Sequence, residues 1–405
     1  VNYAKIRASY AALGDQESFL EWTPPYYYYP FYPALRTTSP PNTNWLFGPA
    51  EKQAAVTSPE RIVPNNLTWQ KPVSFNVGLD LSFLDWRLYT SVDYFVRTVD
   101  DLVGPSRSLP GVLGIAAPRE NNSKMATRGF ELTVEWKDKI GKLNYQLRGV
   151  LSDYRGEILR YPNATGILSD WYVGQQLGEI WGYNTVGLFK NDEEVALAPG
   201  QDFLYSMWGA GDVRYADLND DGKIDRGEFT KSNPGDLEII GNSSPRYAYS
   251  GTVNLQYANF DLSVFLQGVG KRDAWVSSNY FWGITGEEWN SSPFTVHTDR
   301  WTADNPSGYF PKFYMNEQND KNTQVQTRYL QNAAYLRVKN AQLGYNLSET
   351  VAGCLGLRGL RLYVSVDNLA TFSKQISTMD PELSIDNGRL YPLQRTFSFG
   401  LNVGF

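Results

Sequence analysis

The amino-acid sequence predicts an all-β protein, a transmembrane antiparallel β-barrel with long external loops. Three observations predict it. Stretches of about ten residues alternate apolar with polar or small side chains, the pattern of a strand with two unlike faces. The connections between them alternate short with long. Aromatic residues make up 15% of the chain, beside 35 Gly and 22 Pro, a composition suited to pleated surfaces and turns. No apolar run reaches the roughly 18 residues that a spanning helix needs, so any crossing of a bilayer would be made by strands.

The first strand is expected over Ala4 to Leu13. In the second, Phe75, Val77, Leu79, Leu81 and Phe83 alternate with Ser74, Asn76, Gly78, Asp80 and Ser82. Leu88, Thr90, Val92, Tyr94 and Val96 then alternate with Tyr89, Ser91, Asp93, Phe95 and Arg97, and Phe130, Leu132, Val134 and Trp136 with Glu131, Thr133 and Glu135. Further strands are expected over Leu143 to Tyr154, Ser250 to Tyr257, Phe260 to Val269, Tyr335 to Leu347 and Leu360 to Leu369. The last is the clearest: Phe397, Phe399, Leu401, Val403 and Phe405 face one way, and Thr396, Ser398, Gly400, Asn402 and Gly404 the other. This gives about ten strands.

Short turns are expected at Leu84 to Trp86, Lys137 to Gly141 and Ala258 to Asn259, and a medium one at Ser348 to Gly359. Long segments lie at Gly14 to Lys71, Leu102 to Arg128, Arg155 to Ala248, Lys271 to Ala334 and Thr371 to Gln394. A compact soluble domain seldom carries several such loops, whereas an outer-membrane barrel pairs short periplasmic turns with long outer loops. If Phe405 ends a descending strand, every short turn falls in the periplasm and the first strand ascends. Val1-Asn2-Tyr3 shows no initiator Met, targeting segment or turn before that strand, so the expectation is the C-terminal portion of a larger barrel.

Composition excludes several classes. A formal net charge of −6 with no basic run argues against a nucleic-acid face. A single cysteine, Cys354, forms no internal disulfide and no cysteine zinc cluster. The lone histidine, His297, has no nucleophile motif beside it and reads as a loop residue. The carboxylate pairs Asp100-Asp101, Glu193-Glu194 and Glu287-Glu288 read as solvated surface, so no enzyme is expected.

Several fragments then fall in one order: Tyr3-Ala4-Lys5-Ile6-Arg7-Ala8-Ser9-Tyr10, Asn76-Val77-Gly78-Leu79-Asp80, Asp93-Tyr94-Phe95, Arg128-Gly129-Phe130-Glu131-Leu132, and Gly178-Glu179-Ile180-Trp181-Gly182-Tyr183. Asp217 to Asp225, Ile240 to Tyr247, Tyr335 to Asn340 and Val366-Asp367-Asn368-Leu369 follow. Together they resemble the barrel of SusC/RagA-like TonB-dependent transporters of Bacteroidetes outer membranes. The resemblance implies the last ten strands of a barrel of about 22, closed by an N-terminal plug and earlier strands absent from these residues. It implies energising by the TonB-ExbB-ExbD complex through that N-terminal region, a SusD-like surface lipoprotein as partner, and import of a glycan or peptide across the lipid of the outer membrane. It also makes Phe405 the signal for barrel assembly.

The sharpest local motif is Asp217-x-Asn219-x-Asp221-Gly222-x-Ile224-Asp225-x-x-Glu228, which follows the calcium-loop spacing. Asp217, Asn219, Asp221, Asp225 and Glu228 would supply side-chain oxygens and Lys223 its carbonyl, with Asp212 and Asp236 as substitutes or supports. The helices of an EF-hand are not expected, since Pro234 follows closely. A structural calcium would pin the external loop over residues 156–247. Aromatic clusters at Tyr26, Tyr27, Tyr28, Tyr29, Trp45, Trp171, Trp208, Trp282 and Trp289 would stack on sugars, contact a partner or pack the loops. Inward-facing Asn76, Asp80, Asp93, Glu131, Glu135, Gln267 and Asp367 would line the lumen or touch the plug. Two rivals fit part of the pattern: a secreted calcium-dependent carbohydrate-binding β-sandwich, whose apolar face would be covered by a second sheet, and an outer-membrane enzyme.

Overall fold

Alternation of the kind seen in the sequence gives a strand whose two faces need different surroundings, and ten such strands form one antiparallel sheet in chain order. The computed structural model describes residues 1–15, 35–37, 46–47, 52–53, 57–59, 62, 67–106, 110, 118–283, 293–314, 320–354, 356–383 and 393–404. The strands are β1 (Tyr3–Ala12), β2 (Lys71–Phe83), β3 (Leu88–Pro105), β4 (Arg119–Ile140), β5 (Leu143–Arg160), β6 (Arg246–Tyr257), β7 (Phe260–Lys271), β8 (Tyr335–Asn346), β9 (Gly359–Ser373) and β10 (Thr396–Gly404). Each pairs with its sequence neighbour, so the sheet is a meander with β1 and β10 at its edges.

Register turns the local alternation into continuous rows. Phe83, Leu88, Trp136, Leu147, Val253, Val264, Ala341, Val366 and Phe397 are successive partners across nine strands. Two residues nearer the short turns, Tyr145, Leu255, Leu262, Leu343, Val364 and Phe399 form a second apolar row. This face is bare: Ile6 is 78% exposed and Phe399 80%. A soluble β-sandwich would cover it, yet among the described residues all ten long strands lie in one sheet and none packs on this face. The bare rows are therefore the lipid-facing surface of a barrel, and the sandwich reading falls. Among the described residues no helix is long and apolar enough to cross a membrane.

The turns follow the expected alternation. β4 and β5 are joined by Gly141-Lys142, and β6 and β7 by Ala258-Asn259; Gly141 takes a φ of +61°, where a side chain is strained. Three of the strands are longer than expected. β3 runs to Pro105, β4 occupies Arg119–Ile140, and β5 runs to Arg160, through segments predicted as loop. Alternation lapses there because both faces leave the lipid and polar residues serve either side. Ion pairs hold these outer ends instead, Lys71 to Asp101 at 2.7 Å and Lys124 to Asp100 at 2.8 Å.

Because Phe399 faces outward and Ser398 inward, Phe399→Arg is expected to cost about 2–4 kcal/mol near the bilayer midplane and Ser398→Arg far less. Refolding into bilayers checks this, and equal losses would reverse the assigned faces.

Candidate functional site

The buried core of the molecule lies in its long connections. Within 161–245, Glu179–Tyr183 pairs with Leu237–Asn242 and Thr185–Leu188 with Val213–Tyr215; between 272 and 334, Asp273–Ala274 pairs with Gln331–Asn332. Tyr183, Val213, Tyr215, Ile224, Phe281, Trp282, Phe310 and Tyr329 interlock from both connections, and Ile376 and Met379 join from a third. Three loops that are far apart in the chain thus make one folded cap. Burial raises the Tyr183 hydroxyl to about 12 and the Tyr215 hydroxyl well above its usual range.

An ion pair crosses this cap. Lys321 Nζ donates to Asp212 at 2.6 Å, with both side chains almost wholly buried, and lies 4.2 Å from the centre of the Tyr314 ring. Asn322 Nδ2 and the Gly209 N–H also donate to Asp212, at 2.9 Å each. Burial pushes the Lys321 ammonium down and Asp212 pulls it back. Asp212, suggested by the sequence as a support for calcium, is spent on this cluster.

The Asp217 to Glu228 segment forms a tight turn whose side chains grip its own backbone. Asp217 accepts from Gly222 N at 2.8 Å, Asn219 from Asp221 N at 3.1 Å, Asp221 from Lys223 N at 2.9 Å and Asp225 from Gly227 N at 2.7 Å. Gly222 has a φ of +79°. Ile224 plugs into the cap core and its N–H donates to Gly200 O at 2.7 Å. Behind the turn, buried Asp236 accepts from Leu218 N and Asp225 N at 2.8 Å each; burial raises its carboxyl while these two bonds pull it down. Glu228 points to solvent. Among the described residues no three Asp, Glu, His or Cys side chains are gathered at metal-ligating spacing; Asp217, Asn219, Asp221 and Asp225 each hold a backbone N–H of the turn.

The inner face of the sheet is a polar network. Arg7 bonds Asp80 at 2.8 Å and Asp93 at 2.7 Å, and Ser91 Oγ donates to Asp80 at 2.7 Å. Gly78 lets this guanidinium lie flat, since a Cβ there would stand 2.7 Å from it. Gln146 Nε2 donates to Glu135 at 2.9 Å and Asn340 Nδ2 to Asp367 at 2.7 Å. Asn76, Glu131 and Gln267 share this face by register. One further cluster has no local signal in the sequence: Arg337 on β8, 1% exposed, grips Asp380 at 2.6 Å and also Glu382. Lys339 bonds Glu382 at 3.0 Å. This ties the connection after β9 to the inner wall.

Of the aromatic candidates, Tyr26, Tyr27, Tyr28, Tyr29, Trp45 and Trp289 lie outside the described residues, as does the terminal Phe405. Trp282, only 3% exposed, packs in the cap core, and half-buried Trp208 packs against it. Trp171 is exposed, tilted on Tyr161 at 5.6 Å. Of the groups considered for catalysis, Glu287 and Glu288 lie outside the described residues, and others are engaged. Asp100 and Asp101 are ion-paired, Glu194 accepts from Lys190 N, and buried His297 accepts from Phe294 N through Nδ1 and so donates from Nε2 to Phe281 O.

No protein-family model matches the chain. It is similar to TonB-dependent receptor P3 of Formosa agariphila, 26% identical over 370 residues, covering 84% of this chain and 35% of that protein. It is also 25% identical over 365 residues to TonB-dependent receptor SusC of Bacteroides thetaiotaomicron, covering 86% of this chain and 33% of that one. The structure of the RagAB peptide importer in its open-open state matches with a TM-score of 0.72 at 19% identity, over 99% of this chain and 40% of that one. The chain thus resembles these receptors in sequence and the importer in fold, and it spans about a third of the length of those curated relatives. Its sheet is an outer-membrane β-barrel sheet, with the apolar rows toward lipid.

Lys321→Met leaves Asp212 buried without its cation, a loss of about 3–5 kcal/mol for a buried pair. Hydrogen exchange over 213–215 is expected to accelerate accordingly, with exchange in β4 and β5 unchanged.

Proposed function

We propose that the chain is the C-terminal barrel portion of a TonB-dependent importer that brings a glycan or peptide across the outer membrane with a SusD-like surface lipoprotein. The observation that carries this reading is the combination of a lipid-facing ten-stranded sheet with a folded loop cap at one end and a polar inner face. In lipid every backbone group must pair, so the edges β1 and β10 both need further strands. Asn76, Asp80, Asp93, Glu131, Glu135, Gln267 and Asp367 would then line the lumen. The clamp of Arg337 on Asp380 and Glu382 would hold a loop against that wall. Energy would come through TonB-ExbB-ExbD acting on a plug outside these residues. The relatives are named as receptors and an importer, and nothing in the reading asks for catalysis.

Calcium belongs to the reading as a structural ion on Asp217, Asn219, Asp221, Asp225, Glu228 and the Lys223 carbonyl, bracing the external loop over 156–247. Hard cations take oxygen ligands of this kind, and outer-surface modules bind at about 10⁻⁴–10⁻³ M. Binding at ten times the dissociation constant would stabilise the cap by about 1.4 kcal/mol. Melting of the purified full-length receptor is expected to fall on chelation and recover with calcium, and Asp221→Ala to abolish the difference. A melting point indifferent to calcium would remove the ion.

Detergent extraction of the outer membrane followed by pull-down of the full-length receptor is expected to recover a surface lipoprotein in fixed ratio. Deleting the receptor gene is expected to abolish uptake of one glycan or peptide class, and deleting TonB to do the same. Uptake unchanged in both strains would overturn the importer reading.

A further inference from the structure

Above the apolar rows, the outer face carries two arginines set directly against each other. Arg128 on β4 and Arg155 on β5 are register partners, and both are exposed. Partners on one face stand roughly 4.5–5.5 Å apart between Cβ atoms, where like charges repel. Beneath them on the same face come Phe130 opposite Asp153 and then Leu132 opposite Leu151, with Tyr94 beside Phe130. On β4, Asp138 and Arg128 bracket the apolar outer run of Trp136, Val134, Leu132 and Phe130. At ~3.4 Å per residue and ~45° tilt the stretch from Asp138 to Arg128 spans roughly 24 Å along the membrane normal, the height of the apolar band of such barrels. Arg128 and Arg155 therefore stand at the headgroup level on the long-loop side.

They also line a cavity of about 370 Å³ with Tyr94 and Phe130 in its floor. The cavity opens where β6 starts at Arg246 and the segment around Gln176 takes its place beside the upper end of β5. There Ile158 N donates to Gln175 O and Leu177 N to Gly156 O, at 2.9 Å each. Of the two acids in the lining, Asp153 is held by Arg246 and Glu157 lies 3.9 Å from Arg128. Arg155 makes no ion pair among the described residues, so three guanidinium groups face two carboxylates.

We propose that this cavity holds the phosphate headgroup of a lipid of the outer leaflet. Arg128 and Arg155 share the phosphate, which relieves their repulsion, because planar guanidinium groups match phosphate oxygens in two-pronged bonds. The acyl chains run down over Tyr94, Phe130 and Leu132. The apolar floor, continuous with the lipid-facing rows, selects a lipid over free phosphate. The site rests on the sheet spanning the membrane with its long connections outward, and is independent of what the receptor imports.

The test uses the purified full-length receptor in non-ionic detergent, titrated with dioleoyl phosphatidic acid, dioleoyl phosphatidylcholine or inorganic phosphate and read by native mass spectrometry. One saturable phosphatidic acid per barrel is expected, bound at least tenfold more tightly than phosphatidylcholine and not displaced by inorganic phosphate. R128Q/R155Q is expected to lose at least tenfold of that affinity, and Arg160→Gln, on a neighbouring exposed arginine, none. The single variant R155Q adds a readout that a merely structural role would not give: a higher melting point than the parent in phosphatidylcholine nanodiscs, and a lower one once phosphatidic acid is included. Unchanged binding by the double variant, no preference over phosphatidylcholine, displacement by inorganic phosphate, or a melting point lowered equally in both nanodiscs would each overturn the proposal.

Discussion

A backbone amide or carbonyl in hydrocarbon has no water to bond, so each must find a partner in the protein. The rest of this structure depends on that constraint. It demands an unbroken ladder from strand to strand, and the meander of β1 to β10 supplies one in which every neighbour in sequence is a neighbour in space. It also sets the two faces. Once the ladder occupies the backbone, side chains can only choose lipid or interior, and the rows from Phe83 to Phe397 and from Tyr145 to Phe399 show that choice repeated with little deviation.

The inner face solves a different problem. Charges there are matched across strands, as Arg7 with Asp80 and Asp93 or Arg361 with Asp261, and small residues such as Gly78 and Gly344 leave room for the long side chains to lie against the wall. A polar wall of this kind stays wet and unspecific unless loops narrow it. The clamp of Arg337 on Asp380 and Glu382 brings one connection down onto it, while Ile376 and Met379 of the same segment enter the cap core. The wall and the cap are thereby joined through one short stretch of chain.

The cap follows ordinary soluble-protein physics. Aromatic rings pack edge to face, as Trp282 on Tyr329 at 4.9 Å, and the buried cation of Lys321 is satisfied by a carboxylate and surrounded by rings. The calcium-spaced turn hangs from this core by Ile224 and Asp236. An ion there would stiffen a piece of chain already anchored at two points. Above the membrane, then, the protein changes solvent and with it the rule that decides which residues are buried.

The sequence by itself determined the strands, their count, their faces and the alternation of short with long connections, because a period of two is a local property that any ten residues display. It also determined the inner placement of Asn76, Asp80, Asp93, Glu131, Glu135, Gln267 and Asp367, which follows from parity once the apolar face is known. It misjudged the ends of β3, β4 and β5, where both faces meet water and the period no longer carries information. Only the tertiary structure decided which charges meet: Arg7 reaches residues 73 and 86 positions away, and Lys321 a residue 109 positions away. It likewise decided that Trp282 is a core residue with Trp208 packed against that core, and that Arg128 and Arg155 oppose each other. Such partners are set by strand register and loop packing, and neither leaves a local trace in the chain.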